Sequence, residues 1–243
     1  MAKKSKKPQM TQNYDWEARD DGNNVEFVAE GVRFAFTGNG KHLLIPETYK
    51  KQTKHKGKFI VEDDNDTVKG MMEEIVTHLV RTFTDEDDFV FPSDYDGEID
   101  DLDYVFYSVG DNHSAKGSDE PYDGFEGNMV INATRPEKQG PVSVFADTQD
   151  EITEFPDPRL FRDGCYGNLA GRAYYTENDG DAMICCTIEA VIYTDEGEPF
   201  SADQSYSKND DKKKKLFGSH KPKESKAKKA FGKKKKKSDE DED

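Results

Sequence analysis

The segment CYGNLAGRAYY, Cys165–Tyr175, places a small or apolar residue at every second position. Because successive side chains of a β-strand point to opposite faces of the sheet, this alternation predicts a strand with one face in the core. The core face would hold Cys165, Gly167, Leu169, Gly171 and Ala173, and the opposite face Tyr166, Asn168, Ala170, Arg172 and Tyr174. Two tyrosines and an arginine thus lie off the core on one predicted strand.

Several other segments have the composition of strands. Ala182–Thr194 alternates in the same way, which predicts that Ile184, Cys186, Ile188, Ala190 and Ile192 face the core. Short segments rich in β-branched and aromatic residues, bounded by Gly, Asn, Asp or Pro, are also typical of strands. They are Val25–Thr37, Lys58–Glu62, Tyr104–Val109, Asn128–Arg135 and Val142–Asp147. In the last of these, the alternation turns Phe145 away from the core.

Asp66–Phe83 instead has the spacing of a helix, with apolar residues recurring every three or four positions. Asp66 is the expected N-cap of this helix. The polar stretches 84–103 and 110–127 are predicted to be surface loops. The sequence therefore predicts a mostly β domain with one substantial helix.

Charge is distributed unevenly along the 243 residues, whose formal net charge is −16. Lys208–Asp243 contains 15 Lys and 8 acidic residues, a local charge of +7, which leaves −23 for Met1–Ser207. An acidic body repels phosphate on average, so contact with nucleic acid would require a local basic site. The last segment, GKKKKKSDEDED (Gly232–Asp243), joins a lysine block to an acidic block and cannot form a packed core.

These shifts in composition predict three parts. Residues 1–20 are expected to be a flexible basic leader, residues 21–207 a folded domain, and residues 208–243 a disordered tail that is first lysine-rich and then acidic. We expect neither a secretory signal nor a membrane anchor, because no apolar run follows the first lysines and no segment approaches a membrane span. Three cysteines without C-x-x-C spacing predict reduced thiols in a cytosol-like compartment.

No motif in the sequence indicates catalysis. A phosphate-binding G-x-x-x-x-G-K-[ST] loop and an H-E-x-x-H zinc motif are both missing, and the aspartates lack the spacing of a Ca²⁺ loop. We therefore predict no catalytic residue, no bound metal and no cofactor. A Mg²⁺-dependent nuclease is a minor alternative, because a few carboxylates from distant strands among the 51 acidic residues would suffice for it.

The non-core face of Cys165–Tyr175 is the first candidate binding site. Flat aromatic rings stack on unpaired bases at about 1–3 kcal/mol per base, and a guanidinium grips the backbone or stacks beside the bases. Tyr166, Arg172 and Tyr174 are therefore a candidate surface for single-stranded nucleic acid. The alternative is that the tyrosines merely cover a sheet edge or pack under a loop.

The second candidate site is the basic cluster in KHLLIPETYKKQTKHKGK, Lys41–Lys58, which stands out from the acidic body. We expect a surface loop that binds phosphate. Its candidate contacts are Lys50, Lys51, Lys54, Lys56 and Lys58. A solvated turn is the alternative.

The order of these elements resembles that of the bacteriophage single-stranded DNA-binding proteins of replication and recombination. The features that carry the resemblance are the basic leader, the lysine-rich loop, the helix DTVKGMMEEIVTHL, the segment NMVINATR, the paired strands DGCYGNLAGRAYY and GDAMICCTIEAVIY, and the acidic terminus. The resemblance implies an OB-fold-like antiparallel barrel that binds unpaired DNA without sequence preference. It also implies a binding surface of Tyr166, Arg172 and Tyr174 with Phe145 and Arg135, and a place in the cytoplasm of the infected host cell.

The same resemblance implies a tail that contacts phage replication proteins such as polymerase and helicase-primase. The acidic end, Asp239, Glu240, Asp241, Glu242 and Asp243, is the expected contact, or else an occupant of the protein's own basic groove. Tails of this family often end in an aromatic residue after the acids. Here Phe217 and Phe231 lie upstream, in the related segments KKKKLFG and KKAFG, and resemble short docking elements.

A rival from another class is an acidic nuclear protein resembling a histone chaperone. Its lysine runs would be localisation signals, and its acids would hold basic partners. The charge of −23 favours this rival, whereas the Tyr/Arg/Tyr face and the single helix do not. The sequence leaves open the choice between DNA and RNA and between monomer and homodimer.

Overall fold

The computed structural model describes residues 16–18, 24–35, 43, 46–49, 52–84, 86–115, 118–148, 151–155 and 162–200. All of them lie within one unit, Met1–Ser205. The candidate contacts Lys50 and Lys51 lie outside the described residues, as do Phe217, Phe231 and the acidic end Asp239–Asp243. The three-part division of the chain stays a prediction.

Eleven strands and one long helix make up the described part of the chain. The strands are β1 (Trp16–Ala18), β2 (Asn24–Ala35), β3 (Glu47–Tyr49), β4 (Gln52–Val61), β5 (Tyr104–Val105), β6 (Tyr107–Val109), β7 (Met129–Pro136), β8 (Ser143–Thr148), β9 (Glu151–Glu154), β10 (Tyr166–Asn178) and β11 (Asp181–Asp195). The helix, α1, spans Asp66–Phe83. The prediction of a mostly β domain with one substantial helix is confirmed.

Five of the strands form a ring in the order β2–β4–β7–β11–β10. The pairings β2–β4, β4–β7, β10–β11 and β10–β2 are antiparallel. The ring is closed by a single parallel residue pair, Thr134 of β7 with Thr187 of β11. A five-stranded, partly open ring is the architecture of an OB-fold. The OB-fold-like prediction is therefore confirmed. The sheet departs from the antiparallel arrangement that we expected at the closing pair and where β5 and β8 pair in parallel with β11.

Helix α1 packs its apolar stripe against the core beside β2 and β10. The buried residues of the stripe are Val68, Met71, Met72, Ile75, Val76, Leu79 and Val80. Asn65, rather than the predicted Asp66, is the N-cap, because its side-chain oxygen accepts a hydrogen bond of 3.2 Å from the backbone N–H of Val68. In the described ranges, no helix has both the length and the apolar character needed to cross a membrane.

Strand β1 lies within the segment that was predicted to be a flexible leader, and it pairs with β2. Its Trp16 contacts helix α1. The indole N–H donates to Glu74 at 3.4 Å, and the ring lies 5.6 Å from that of His78. These contacts explain why a short polar segment takes a fixed place at the edge of the sheet.

Strand β4 begins at Gln52, well before its predicted start at Lys58. Lys54 and Lys56 therefore lie on a strand, and the prediction that they belong to a surface loop is wrong. The early part of the strand is held on its core side by His55, which is buried and whose Nδ1 lies 2.8 Å from the carbonyl oxygen of Leu43. The sequence did not predict this part of the strand, because its core-facing positions are His55 and Gly57 rather than apolar side chains, and lysines lie between them.

A β-bulge in β11 changes which of its side chains face the core. In the pairing with β10, Ile188 and Ala190 have consecutive partners, which leaves Glu189 as the extra residue. Before the bulge, the predicted core residues Ile184, Cys186 and Ile188 are buried, and Thr187 between them is buried as well. After it, Val191 is buried, whereas Ala190 and Ile192 are half-buried. The prediction for these two residues is wrong because one extra residue moves the alternation by one position.

The turn between β10 and β11 brings the two longest strands of the ring together. Asp179 and Gly180 form this turn, with φ of 57° and 95°. Positive φ at both central residues is what a two-residue type I′ hairpin requires, and Asp-Gly is a strong sequence signal for it. The outward faces of β10 and β11 consequently form one continuous surface.

Candidate nucleic-acid interface

The two faces of β10 differ in burial in the way that the alternation predicts. Gly167, Leu169, Gly171 and Ala173 are buried, whereas Tyr166, Asn168, Ala170, Arg172 and Tyr174 are half-buried. Helix α1 and the core lie behind the first set. The Tyr/Arg/Tyr face is therefore directed away from the core.

Tyr174 lies at a junction of several strands. It is paired in register with Cys185 of β11, and its phenol is close enough to the buried Thr187 to interact with it. Burial raises the pKa of the Tyr174 phenol, so the group is neutral at physiological pH. A neutral ring with one polar end suits a contact that is apolar on its faces and hydrogen-bonded at its edge.

A second tyrosine, Tyr104, lies beside Tyr174. Strand β5 pairs in parallel with β11, which places Tyr104 opposite Met183, and its phenol is close enough to Cys185 and Tyr174 to interact with them electrostatically. Tyr104 is 40% exposed, more than any other aromatic side chain whose burial the structure describes. Burial of its hydroxyl raises the pKa of the phenol. Sequence reasoning missed this residue, because its place depends on a pairing between distant segments.

Basic side chains border this pair of rings. The charge of Lys54 on β4 reaches Cys185, whose pKa it lowers against the larger, opposite effect of burial. The register places Lys56, Thr134, Thr187 and Arg172 in one row across four strands of the ring. We refer to Lys54, Tyr104, Arg172, Tyr174 and Cys185 together as the Tyr174 surface.

Arg172 and Arg135 share one carboxylate on this side of the ring. Arg172 Nη2 lies 2.9 Å from Glu189 Oε1, and Arg135 Nη1 lies 2.8 Å from Glu189 Oε2. Arg135 also donates to three backbone carbonyls, those of Gln139, Gly140 and Ile188, at 2.8–3.1 Å. Arg135 therefore fixes the turn that follows β7 and contributes a stationary positive charge.

Tyr166 belongs to a different cluster. It lies eight residues from Tyr174 on β10, about 26 Å at about 3.3 Å per residue. Its hydroxyl donates to Glu62 at 3.0 Å, and the guanidinium of Arg33 lies 5.2 Å from its ring centroid. Arg33 is also 4.5 Å from the ring centroid of Phe200. The structure thus separates the two tyrosines that the sequence predicted to act together.

Lys58 and Phe145 also lie apart from the Tyr174 surface. The ammonium of Lys58 is 2.7 Å from His113 Nδ1 and 5.6 Å from the ring centroid of Phe125, and burial lowers its pKa to about 8. Phe145 is half-buried on β8, on the face opposite the buried Val144, and is paired with Ile192 of β11. Of the predicted site residues that the structure describes, it brings together Lys54, Lys56, Arg135, Arg172 and Tyr174.

A five-stranded OB-like ring with an aromatic and basic sheet surface is typical of proteins that bind single-stranded nucleic acid. The family model of the ssDNA-binding protein of Enterobacter phage Enc34 matches residues 26–219. The chain belongs to this family. No significant match was found among curated protein sequences.

Solved structures share the fold. The single-stranded DNA-binding protein from bacteriophage Enc34 in complex with ssDNA is 17% identical, with a TM-score of 0.54 over 79% of this chain and 97% of that chain. A second structure of that protein is 16% identical, with a TM-score of 0.52 over 79% and 92% of the two chains. Its C-terminal truncation gives 16% identity and a TM-score of 0.52 over 79% and 96%. At this level of identity the likeness shows the fold.

Proposed function

We propose that this protein binds single-stranded DNA without sequence preference in phage DNA replication and recombination. The observation that carries the proposal is the Tyr174 surface on an OB-like ring, in a chain of the Enc34 ssDNA-binding family. Family membership supports the choice of ligand. The surface supports the way in which the ligand is held.

The bases stack on Tyr174 and Tyr104. Every base has a flat π-face, so stacking on tyrosine is tolerant of sequence and contributes about 1–3 kcal/mol per base. Both rings are off the core face and lie beside each other across β5, β11 and β10. Duplex DNA hides its base faces within the stack, and this surface therefore selects unpaired strands.

The phosphates are held by Arg172, Lys54 and Lys56. Arg172 lies on β10, two residues from Tyr174, and Lys54 and Lys56 lie on β4, which is separated from β10 in the ring by β7 and β11 on one side and by β2 on the other. Since the body of the protein carries −23, the backbone of DNA is attracted only where cations are concentrated. Lys50 and Lys51, which precede β4 in the sequence, would extend the same basic groove.

The other predicted contacts have lesser roles in this proposal. Arg135 holds Glu189 and the turn after β7, and acts on DNA through its fixed charge. Tyr166 and Phe145 would meet DNA only where a longer strand continues beyond the Tyr174 surface. Lys58 is engaged with His113 and supports the fold beneath.

The tail has two roles in the proposal. The acids Asp239–Asp243 carry five negative charges, which can compete with DNA for the basic groove or contact a replication protein. A flexible chain of 36 residues, Lys208–Asp243, has an r.m.s. span of about 35 Å, enough to reach across a small ring. The lysine block would touch DNA loosely outside the groove, and Phe217 and Phe231 would dock onto partners.

The remaining expectations follow from this function. The protein acts by binding and is not an enzyme. Its partners are single-stranded DNA and, through the tail, replication proteins such as polymerase and helicase-primase. It works in the cytoplasm of the infected host cell.

A titration with three ligands tests the proposal. Fluorescently labelled oligo-dT, a duplex of the same length and a histone mixture are each titrated with the full chain, and fluorescence anisotropy is measured. We expect tight binding to oligo-dT, much weaker binding to the duplex and none to histones. Preference for histones would favour the chaperone-like rival, and Mg²⁺-dependent shortening of the oligonucleotide would favour the nuclease.

A further inference from the structure

Glu189 is a bulge residue of β11 whose carboxylate binds two arginines. It is the extra residue of the β11 bulge, and its carboxylate lies between two guanidinium groups at 2.8 and 2.9 Å. The side chain is 37% exposed, so solvent and ligands can reach it. A carboxylate held by two arginines has the same recognition chemistry as a phosphate held by two arginines.

The two arginines differ in how firmly they are held. Arg135 has a donor bonded to each of three backbone carbonyls, which fixes its guanidinium whether or not Glu189 is bound. Within the part of the chain that the structure describes, Arg172 forms its ion pair with Glu189. Among the described residues, Arg172 Nε is buried and has no hydrogen-bond partner. Arg172 is therefore the member of the pair that can exchange the carboxylate for another anion.

The charge of the cluster follows from this arrangement. Two guanidinium groups and one carboxylate sum to one net positive charge. Replacing the carboxylate by a neutral group would leave two. Since Arg172 lies on the Tyr174 surface, its attraction for a DNA phosphate is weakened by the carboxylate that it already holds.

We propose that Glu189 is a stand-in for a DNA phosphate, and that a DNA strand must displace it from Arg172 to bind. This inference rests on the proposed function and adds a residue that sets the affinity for single-stranded DNA and eases its release. After displacement, the Glu189 carboxylate remains paired with Arg135, so its negative charge is still neutralised. Glu189 lies off the core face, next to the buried Ile188, and as the extra residue of the bulge it has no partner on β10.

The test is Glu189→Gln in the full chain, with oligo-dT anisotropy measured from low to moderate salt. Glutamine has the same shape, so the three carbonyl contacts of Arg135 and the fold should persist, as a thermal melt will show. Loss of one negative charge about 4 Å from a bound phosphate should tighten binding about fivefold or more. The slope of log K against log salt should steepen by up to about 0.7, the amount for one added phosphate contact.

Two comparisons separate this mechanism from a general effect of charge. Glu120→Gln removes the same charge from an exposed position and should change affinity less than twofold. In an Arg172→Gln background, Glu189→Gln should have little effect, because the competition that it relieves is gone. Glu189→Thr, a neutral residue that suits a strand, repeats the measurement if the glutamine variant is unstable.

Each outcome decides the matter. Tighter binding for Glu189→Gln that disappears in the Arg172→Gln background supports the stand-in. Unchanged affinity, an effect equal to that of Glu120→Gln, or an effect that persists without Arg172 overturns it. If the wild-type chain binds oligo-dT but the variants match it, the assignment of Glu189 alone is wrong. If the wild-type chain does not bind oligo-dT, the proposed function is wrong and the stand-in with it.

Discussion

Tyr174 and Tyr175 are neighbours in β10 but serve opposite faces of the sheet. Tyr175 stacks on Phe83 of helix α1, with ring centroids 5.1 Å apart and planes 7° from parallel. Tyr174 is half-buried on the outer face, where it is paired in register with Cys185 of β11. Two consecutive tyrosines thus have different environments: Tyr175 faces the helix and Tyr174 faces the candidate ligand.

This pair supplies the first prediction and its control. Tyr174→Ala should weaken binding to oligo-dT by about 1–3 kcal/mol and leave the melting temperature nearly unchanged, because a stacking platform is lost without a core cavity. Tyr175→Ala should lower the free energy of unfolding by at least about 1 kcal/mol, since an aromatic pair is lost. Anisotropy and urea unfolding measure the two effects. Equal affinities for wild type and a folded Tyr174→Ala would remove Tyr174 from the site.

The lysines of β4 give a second prediction. Lys54→Gln and Lys56→Gln should each reduce the slope of log K against log salt by about 0.7, the value for one phosphate contact on a single strand. Lys58→Gln should leave the slope unchanged, because Lys58 is engaged with His113. The measurement is oligo-dT affinity at four or more salt concentrations. A slope that falls for Lys58→Gln but not for Lys54→Gln would contradict this arrangement.

The bulge gives a third prediction, about stability. Ile188→Ala should cost about 2–5 kcal/mol of unfolding free energy, because Ile188 is fully buried and its loss leaves a cavity. Ile192→Ala should cost clearly less, since Ile192 is half-buried beyond the bulge. Denaturant unfolding of both variants measures the difference. Equal costs would mean that the alternation continues unbroken through Glu189.

Lys58 gives a prediction about pH. Burial lowers its pKa to about 8 in the folded protein, from an ordinary value of 10.5. Between these two values the unfolded chain binds more protons at this residue than the folded one, so the contribution of Lys58 to stability rises with pH. The unfolding free energy of the wild type minus that of Lys58→Gln should therefore increase from pH 8 to pH 10. A difference that stays constant over this interval would show that Lys58 is ordinarily hydrated.

The tail gives the last prediction. Deleting Ser238–Asp243 removes five negative charges, and deleting Lys233–Asp243 removes five positive charges as well, so the second deletion leaves the net charge unchanged. If the acids compete with DNA for the basic groove, both truncations should tighten binding, most clearly at low salt where charges are least screened. A global effect of charge predicts tightening only for the shorter deletion. Anisotropy across a salt series distinguishes the two.

The sequence predicted well the features that depend on local periodicity. The alternation of Cys165–Tyr175 identified a strand and its two faces, and the spacing in Asp66–Phe83 identified the helix. These predictions succeeded because burial on one face imposes a period of two or 3.6 residues on the sequence itself. The same reasoning placed Arg172 and Tyr174 on the outer surface.

The features that failed depend on partners distant in sequence. The bulge at Glu189 is defined by a count of residues across two strands, which no single strand reveals. Tyr104 became part of the site through parallel pairing of β5 with β11. The stretch 84–103 read as solvated because of its acids, but its Phe89, Phe91 and Tyr95 pack against the core. The many acidic residues of this stretch favoured a prediction of solvent exposure, so the packing of its three aromatic residues was missed.

The closure of the ring at one residue pair has a mechanical consequence. Thr134 and Thr187 join β7 to β11, and the row that crosses this seam continues to Lys56 on one side and Arg172 on the other. A DNA strand whose phosphates engage both Lys56 and Arg172 would tie the two edges together where the protein has least of its own bonding. Bound DNA would then hold β4 and β10 together across this seam, and the closed ring would in turn keep the two cations in place for DNA.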